Sequence, residues 1–262
     1  MDVIRHEEVG KVASQQSDKG LGEKLRFFPE MIAEILPSQF KVYPKGTVIK
    51  YRPYAFGEIK KFNQSGKSML DVFQTAMEGV TVEGMKLEDI TYSDALYVSL
   101  LRKISSLGDT RFKVTYICSS CGKPVTDSVE STKIGFDELN VPKLPVIAEL
   151  STGSLAFSPM TYGSFIKLAK DKKTNDEVAI LAMMCVNKSF DEAYNLIYNA
   201  SAGEGMVLEH VDKLLYHGLQ RIKFKCGNCG QEDKVALDGR DALIGPFCEL
   251  DQYVKSRVRF GV

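Results

Sequence analysis

Residues 116–124 read "YICSSCGKP" and residues 224–232 read "FKCGNCGQE". Each stretch carries two cysteines three positions apart and then a glycine: Cys118, Cys121 and Gly122 in one, Cys226, Cys229 and Gly230 in the other. A CxxC at the tip of a hairpin offers two thiolates to one ion, and the following glycine permits the tight turn this needs. A tetrahedral structural site wants four ligands, so each pair is half a site. The gap between the pairs is far longer than the roughly 15–20 residues of a local zinc ribbon. How the two halves meet decides the fold.

The sequence around the motifs offers an answer. "YRPYAFGEIKKF" (51–62) aligns without gaps on "FSPMTYGSFIKL" (157–168), with Pro53 on Pro159, Phe56 on Tyr162, Gly57 on Gly163 and Lys61 on Lys167. At the same offset "DVFQTAMEGV" (71–80) falls on "EVAILAMMCV" (177–186). With a slightly larger offset "LGDTRFKVTYICSSCGK" falls on "HGLQRIKFKCGNCGQ", pairing Gly108 with Gly218 and Arg111 with Arg221. Matches in one order at nearly one spacing point to an internal duplication. Each half reads as strand, turn, helix, one or two further helices ending in glycine, strand, CxxC knuckle, strand. The expected fold class is α+β: two pseudo-repeated halves, each of helices plus short antiparallel strands, joined by a four-cysteine, zinc-ribbon-like pair of knuckles. The expected ligands are Cys118, Cys121, Cys226 and Cys229 around one structural zinc ion, whose binding free energy becomes part of the folding free energy.

Other chemistries fit the cysteines less well. A thioredoxin-like CxxC opens a helix after a strand, whereas strand-like residues follow both motifs here. An iron–sulfur cluster could use four cysteines, but nothing favours it over zinc. Cys185 in "LAMMCV" and Cys248 in "IGPFCEL" have apolar neighbours and read as buried thiols.

Composition narrows the function. The chain has 262 residues, 44% of them hydrophobic, which is enough for a real core. Lys+Arg and Asp+Glu both number 34, so the surplus of positive charge that phosphate binding favours is missing. The strands "RFKV" and "RIKFK" are locally basic, which alternation on an exposed face explains as well as nucleic-acid contact does. No apolar run is long enough to span a membrane, and residues 1–20 hold no secretory h-region, so synthesis in a cytoplasm is expected.

Along the chain, residues 1–38 read as a flexible arm plus a short helix in "EKLRFFPEMIAEIL". Residues 39–135 form the first repeat, 136–240 the second and 241–262 a C-terminal docking segment. "SMLDVFQTAMEGV" reads as a helix through Val80 with Ser68 as N-cap. "TYSDALYVSLLRKISSLG" reads as a helix capped by Thr91 and Asp94 and stopped by Gly108. "SGKS" at 65–68 lacks the glycine a phosphate loop requires at position 61, which is Lys61. His210 and His217 sit a heptad apart on the expected last helix, in a surface or interface position. There is no nucleophile–base–orienter set, so no catalytic residue is assigned.

The same residues resemble a known family. "YRP-aromatic-x-FGE" at 51–58, "D-x-LY-x-x-LLRK-x-S-x-LG" at 94–108 and the strand into CxxC at 111–121 are similar to the baseplate proteins of T-even-type contractile-tail phages, more narrowly their hub assembly proteins. The likeness is strongest over about 40–130. It implies a structural or assembly role in the tail baseplate of the virion, with other baseplate and tail proteins as partners and no small-molecule substrate. A zinc-ribbon accessory protein that binds nucleic acid is the alternative, and the zero net charge counts against it.

Overall fold

The computed structural model describes residues 29–62, 68–107, 111–130 and 133–235. Residues 1–28 of the expected arm and short helix, with His6, and Gly66, Gly108, Cys248 and the segment 241–262 lie outside these residues.

The first half begins with a three-stranded antiparallel sheet, in order β1 (Met31–Ile32), β2 (Val48–Tyr51), β3 (Val80–Glu83). Tyr51 on the central strand pairs with Met31 on one side and Val80 on the other. Between β2 and β3 lie helices α1 (Phe56–Phe62) and α2 (Met69–Met77). Ser68 caps α2 as expected: its hydroxyl accepts from the Asp71 N–H, and the Asp71 carboxylate reaches back to the Ser68 N–H. A 3-10 turn at Leu87–Asp89 leads into the long helix α3 (Tyr92–Leu107), and hairpin β4 (Arg111–Ile117)/β5 (Pro124–Glu130) follows.

The second half has hairpin β6 (Val146–Leu150)/β7 (Gly153–Phe157), helices α4 (Tyr162–Lys170), α5 (Glu177–Met184), α6 (Phe190–Tyr198) and α7 (Ala202–Leu215), then hairpin β8 (Ile222–Lys225)/β9 (Glu232–Val235). The two element orders agree in part: two helices follow a strand in each, and a CxxC-tipped hairpin closes each, but no strand stands between α5 and α6 where β3 stands between α2 and α3. Where β2 pairs with β3, β7 makes a single bridge from Phe157 to Cys185. The Arg52 N–H donates to the Gly79 carbonyl at 3.1 Å, and the Ser158 N–H to the Met184 carbonyl at 2.9 Å. The architecture is mixed, with helices beside small antiparallel sheets.

Two apolar clusters hold the chain together. The first gathers Ile49, Phe73, Ile90 and Val98 with Tyr162 and Phe165 of α4 and Phe224 of β8. Phe73 is fully buried, worth roughly 1.5–3 kcal/mol relative to exposure, and its ring meets Tyr92, Tyr162 and Phe165 edge-on at 5.0–5.4 Å. The second cluster gathers Leu155, Phe157, Ala182, Ala193, Leu208, Val211 and Leu215. The starts of α3 and α4 are tied reciprocally: the Tyr92 N–H donates to the Met160 carbonyl at 2.8 Å, and the Tyr162 N–H to the Ile90 carbonyl at 2.7 Å.

The first core also encloses charge. Arg102 of α3 has no exposed surface. Its Nε–H donates to the Arg52 carbonyl at 2.8 Å, one Nη to the Ala76 carbonyl, and the other to both Glu58 oxygens at 3.1 and 3.3 Å. Glu58 also accepts two hydrogen bonds from Arg52, at 2.7 and 3.0 Å, and one from the Ala55 N–H. The Arg102 guanidinium lies over the Tyr54 ring, 4.1 Å from its centroid. Burial works against the Glu58 charge, yet the hydrogen bonds from Arg52, Ala55 and Arg102 outweigh it and hold its pKa below the usual carboxylate value. A Cβ on Gly79 would stand 2.3 Å from an Arg102 Nη, so glycine makes the room. On the same helix Asp94, fully buried, accepts from the Ser38 N–H at 2.9 Å and from the Tyr43 hydroxyl.

Several expectations are corrected here. Met31–Ile32 is a strand and not part of a helix, because Tyr51 and Lys50 offer it a backbone ladder. Helix α2 stops at Met77 and Val80 belongs to β3. Thr91 caps α3, accepting from the Asp94 N–H at 3.1 Å, but the Asp94 carboxylate turns to Ser38 and Tyr43 and closes no capping box. Helix α7 ends at Leu215, so His217 is not on it. His217 is buried with its Nε2 3.2 Å from Thr91 Oγ1, while His210 is exposed on α7.

Candidate metal centre

The two cysteine pairs come together. The β4/β5 ladder runs in register from Arg111–Glu130 to Ile117–Pro124 and leaves residues 118–123 to close the tip. There the Cys118 N–H donates to the Lys123 carbonyl and the Gly122 N–H to the Cys118 carbonyl, each at 3.0 Å. The β8/β9 tip repeats this: Cys226 N–H to the Gln231 carbonyl at 2.7 Å, Gly230 N–H to the Cys226 carbonyl at 2.8 Å. Gly122 and Gly230 have φ of 65° and 77°, the left-handed conformation that favours glycine. In β8 the basic Lys223 and Lys225 are exposed and Phe224 is buried, which is the expected alternation.

All four Sγ atoms lie within 4.8 Å of one another. Cys118 faces Cys229 at 3.6 Å, and Cys121 faces Cys226 at 3.8 Å. Four sulfurs around one ion at about 2.3 Å stand about 3.8 Å apart in a tetrahedron, so the donor set fits a metal. The arrangement is locally two-fold. Exchanging Cys118 with Cys226 and Cys121 with Cys229 carries the first contact onto the second. Tyr116 and Phe224, each two residues ahead of its first cysteine, obey the same exchange, and their rings stack at 5.5 Å.

One contact breaks that symmetry. Ser119 donates from its N–H to Asp233 Oδ2 at 3.3 Å and from its hydroxyl to Asp233 Oδ1, pinning the first tip to β9 of the second hairpin. The Ser119 hydroxyl is the leading reason that the Asp233 carboxyl sits below its ordinary pKa. The counterpart positions are Gly227 and Val125, which have no side-chain polar group. Backbone amides address the sulfurs as well. Those of Cys229 and Asn228 lower the Cys226 thiol to about 6, against the effect of burial. Cys118 receives amides from Cys121 and Ser120, but burial and the neighbouring Cys229 thiol leave its pKa raised.

Cys118 and Cys226 are buried and Cys229 is exposed, so the cluster lies at the rim of the first core. Cys185 is buried in the second core with its thiol toward Asn187 Oδ1 at 3.3 Å, outside the ligand cluster. Reading the cysteines alone misses Tyr116, Phe224, Ser119 and Asp233. The signal for the first two was present, since both fall two residues before the first cysteine in the aligned lines.

A model of the T4 bacteriophage base plate protein family matches residues 32–244, a span that includes both knuckles. The chain belongs to this family. No curated protein and no solved structure matches it. Baseplate-family membership makes the coarse functional reading a structural tail component. Among the described residues, no helix of this baseplate-family chain is long and apolar enough to cross a membrane. The stretches 51–58 and 94–108 quoted above have a physical role in the fold. Glu58 in the first of these stretches and Asp94, Arg102 and Lys103 in the second are buried, and Arg52 pairs with Glu58 from a partly exposed position.

Proposed function

We propose that the chain is a non-enzymatic structural or assembly component of the contractile-tail baseplate, made in the host cytoplasm, that binds other tail proteins. Its halves, residues 39–135 and 136–240, arose by duplication and are clamped by one structural zinc ion on Cys118, Cys121, Cys226 and Cys229. The observation that carries the clamp is the convergence of four sulfurs, from hairpins about a hundred residues apart in sequence, within 4.8 Å. The partial agreement of element order and the two-fold exchange of the knuckles support the duplication. When bound, the ion supplies no chemistry beyond cross-linking; the residues supply the thiolates and the amides that hold them. Residues 1–38 and 241–262 are the proposed docking segments, with hub assembly as the narrower role.

Metal analysis tests the clamp. One zinc per chain is expected, lost on chelation together with the folded-state circular dichroism. A folded, soluble, metal-free preparation overturns it, and iron in place of zinc reassigns the cluster. For assembly, the chain is expected to bind at least one purified tail protein or to co-purify with tail particles in fixed ratio. Binding to none of them, with salt-sensitive binding to DNA instead, would overturn the baseplate role.

A further inference from the structure

The four sulfurs differ in what can reach them. Cys229 is exposed and Cys121 partly so, whereas Cys118 and Cys226 are buried. Two sulfur contacts each join an accessible cysteine to a buried one: Cys229 to Cys118 at 3.6 Å and Cys121 to Cys226 at 3.8 Å. Both contacts run between the hairpins. An accessible sulfur beside a resolving one is the layout of a redox-sensitive thiol. A disulfide needs about 2.05 Å between sulfurs, which leaves roughly 1.5–1.8 Å to close in each pair. The tips are also aligned by groups that are not ligands. The Ser119–Asp233 hydrogen bonds and the Tyr116–Phe224 stack hold one hairpin on the other.

We propose that Cys229 and Cys121 are sites of oxidation by peroxide, and that the clamp converts into two inter-hairpin disulfides, Cys118–Cys229 and Cys121–Cys226. The Cys229 thiolate attacks one oxygen of hydrogen peroxide; the O–O bond breaks, leaving a sulfenic acid and hydroxide. The Cys118 thiolate then attacks the Cys229 sulfur, the S–O bond breaks and a second hydroxide leaves. Cys121 and Cys226 repeat both steps. Each disulfide takes two electrons from its two sulfurs and, with two protons from solvent, reduces one peroxide to two waters. The ion departs as its ligands lose their charge. This rests on the clamp reading above for the ion that is displaced. The occasion is the passage of a baseplate part from a reducing cytoplasm to the outside of the cell with the virion. There the halves stay joined, by bonds between residues 111 and 105 positions apart.

The test exposes the full-length, metal-loaded chain to hydrogen peroxide in slight excess, followed by alkylation and digestion without reductant. Peptide mapping is expected to find Cys118 linked to Cys229 and Cys121 to Cys226. Zinc should be released in step, read with a chromogenic chelator, and dithiothreitol with added zinc should reverse both changes. In Cys118→Ser, dimedone should label Cys229, whose sulfenic acid has lost its resolving partner; a folded variant without that label overturns the proposal. So do links within a motif, the crossed pairing of Cys118 with Cys226, or sulfinic acid with no link between hairpins. Should Cys118→Ser fail to fold, the wild-type map decides alone. A chain purified without metal that still forms the two expected links fails the clamp and keeps this proposal. A metal-loaded chain that forms neither keeps the clamp and fails the proposal.

Discussion

The two cores of this molecule are built on different terms. The first encloses Glu58, Asp94, Arg102 and Lys103 among its apolar side chains, whereas the buried members of the second are aliphatic and aromatic side chains, alanine, methionine and Cys185. An apolar core is satisfied by total volume and tolerates exchange of its parts. A buried ionic network is satisfied only by particular partners at particular places, since any member left alone is a desolvated charge. Substitution should therefore be tolerated least where the network is, in residues 52–58 and 94–102.

The largest effects should come from cutting the network. Arg102→Ala withdraws donors from Glu58 and from the Arg52 and Ala76 carbonyls, and should cost about 3–5 kcal/mol in denaturant unfolding. Leu155→Ala, fully buried in the second core, should cost about 2–5 kcal/mol through its cavity. Conservative exchanges separate the cores more sharply. Leu155→Met should cost under about 1.5 kcal/mol, while Arg102→Lys should lose most of what alanine loses, because an ammonium cannot reproduce the guanidinium fork. Equal tolerance of the two exchanges would break the comparison.

A smaller effect is expected at the edge of the network. The Tyr43 hydroxyl donates to Asp94 and accepts from the Thr91 N–H, so Tyr43→Phe should cost about 1–3 kcal/mol by thermal or chemical unfolding. Glycines should respond with opposite signs. Gly79→Ala pushes on Arg102 and should destabilise by about 1–3 kcal/mol. Gly205→Ala in α7, where a Cβ meets open space, should stabilise by about 0.5–1 kcal/mol.

The pH dependence follows from two groups with lowered folded-state pKa. Burial, against a carbonyl contact and the Asp94 charge, depresses His217; the folded state therefore holds it neutral. That contribution is complete above its unfolded value of about 6.5 and fades as pH falls from there toward the folded value. The Glu58 contribution is complete above about 4.3 and fades at more acidic pH. Denaturant midpoints should thus drop first as pH falls below the unfolded histidine value, before the carboxylate step, and His217→Asn should remove that first step while leaving the more acidic one. A first step of the same size in the variant would clear His217 of the role.

Much of the site was legible because it is local: a CxxC-Gly turn between two strands needs only its own residues. The pairing of the tips was legible through the aligned halves. Tertiary context hid the rest. Met31 and Ile32 become a strand only because β2 lies alongside, some twenty residues on in the chain. Arg102 and Lys103, read along α3, look like the solvated flank of an amphipathic helix, and only the positions of Glu58 and two carbonyls make burial of Arg102 tolerable. His217 follows a periodic apolar run and precedes glycine, so helix would be extended to it, yet Thr91 draws it inside.

The reciprocal tie between the starts of α3 and α4 bears on the order of events during synthesis. Tyr162 and Phe165 complete the aromatic knot around Phe73, so the first core cannot close while the ribosome still holds α4. The nascent first half must wait, with Phe73 and Tyr92 unshielded, for some seventy further residues beyond Thr91. The cysteine tips join later still, after Cys229 emerges. The full ligand set cannot exist before that point, so the free energy of metal binding enters only after the tie between α3 and α4 can form.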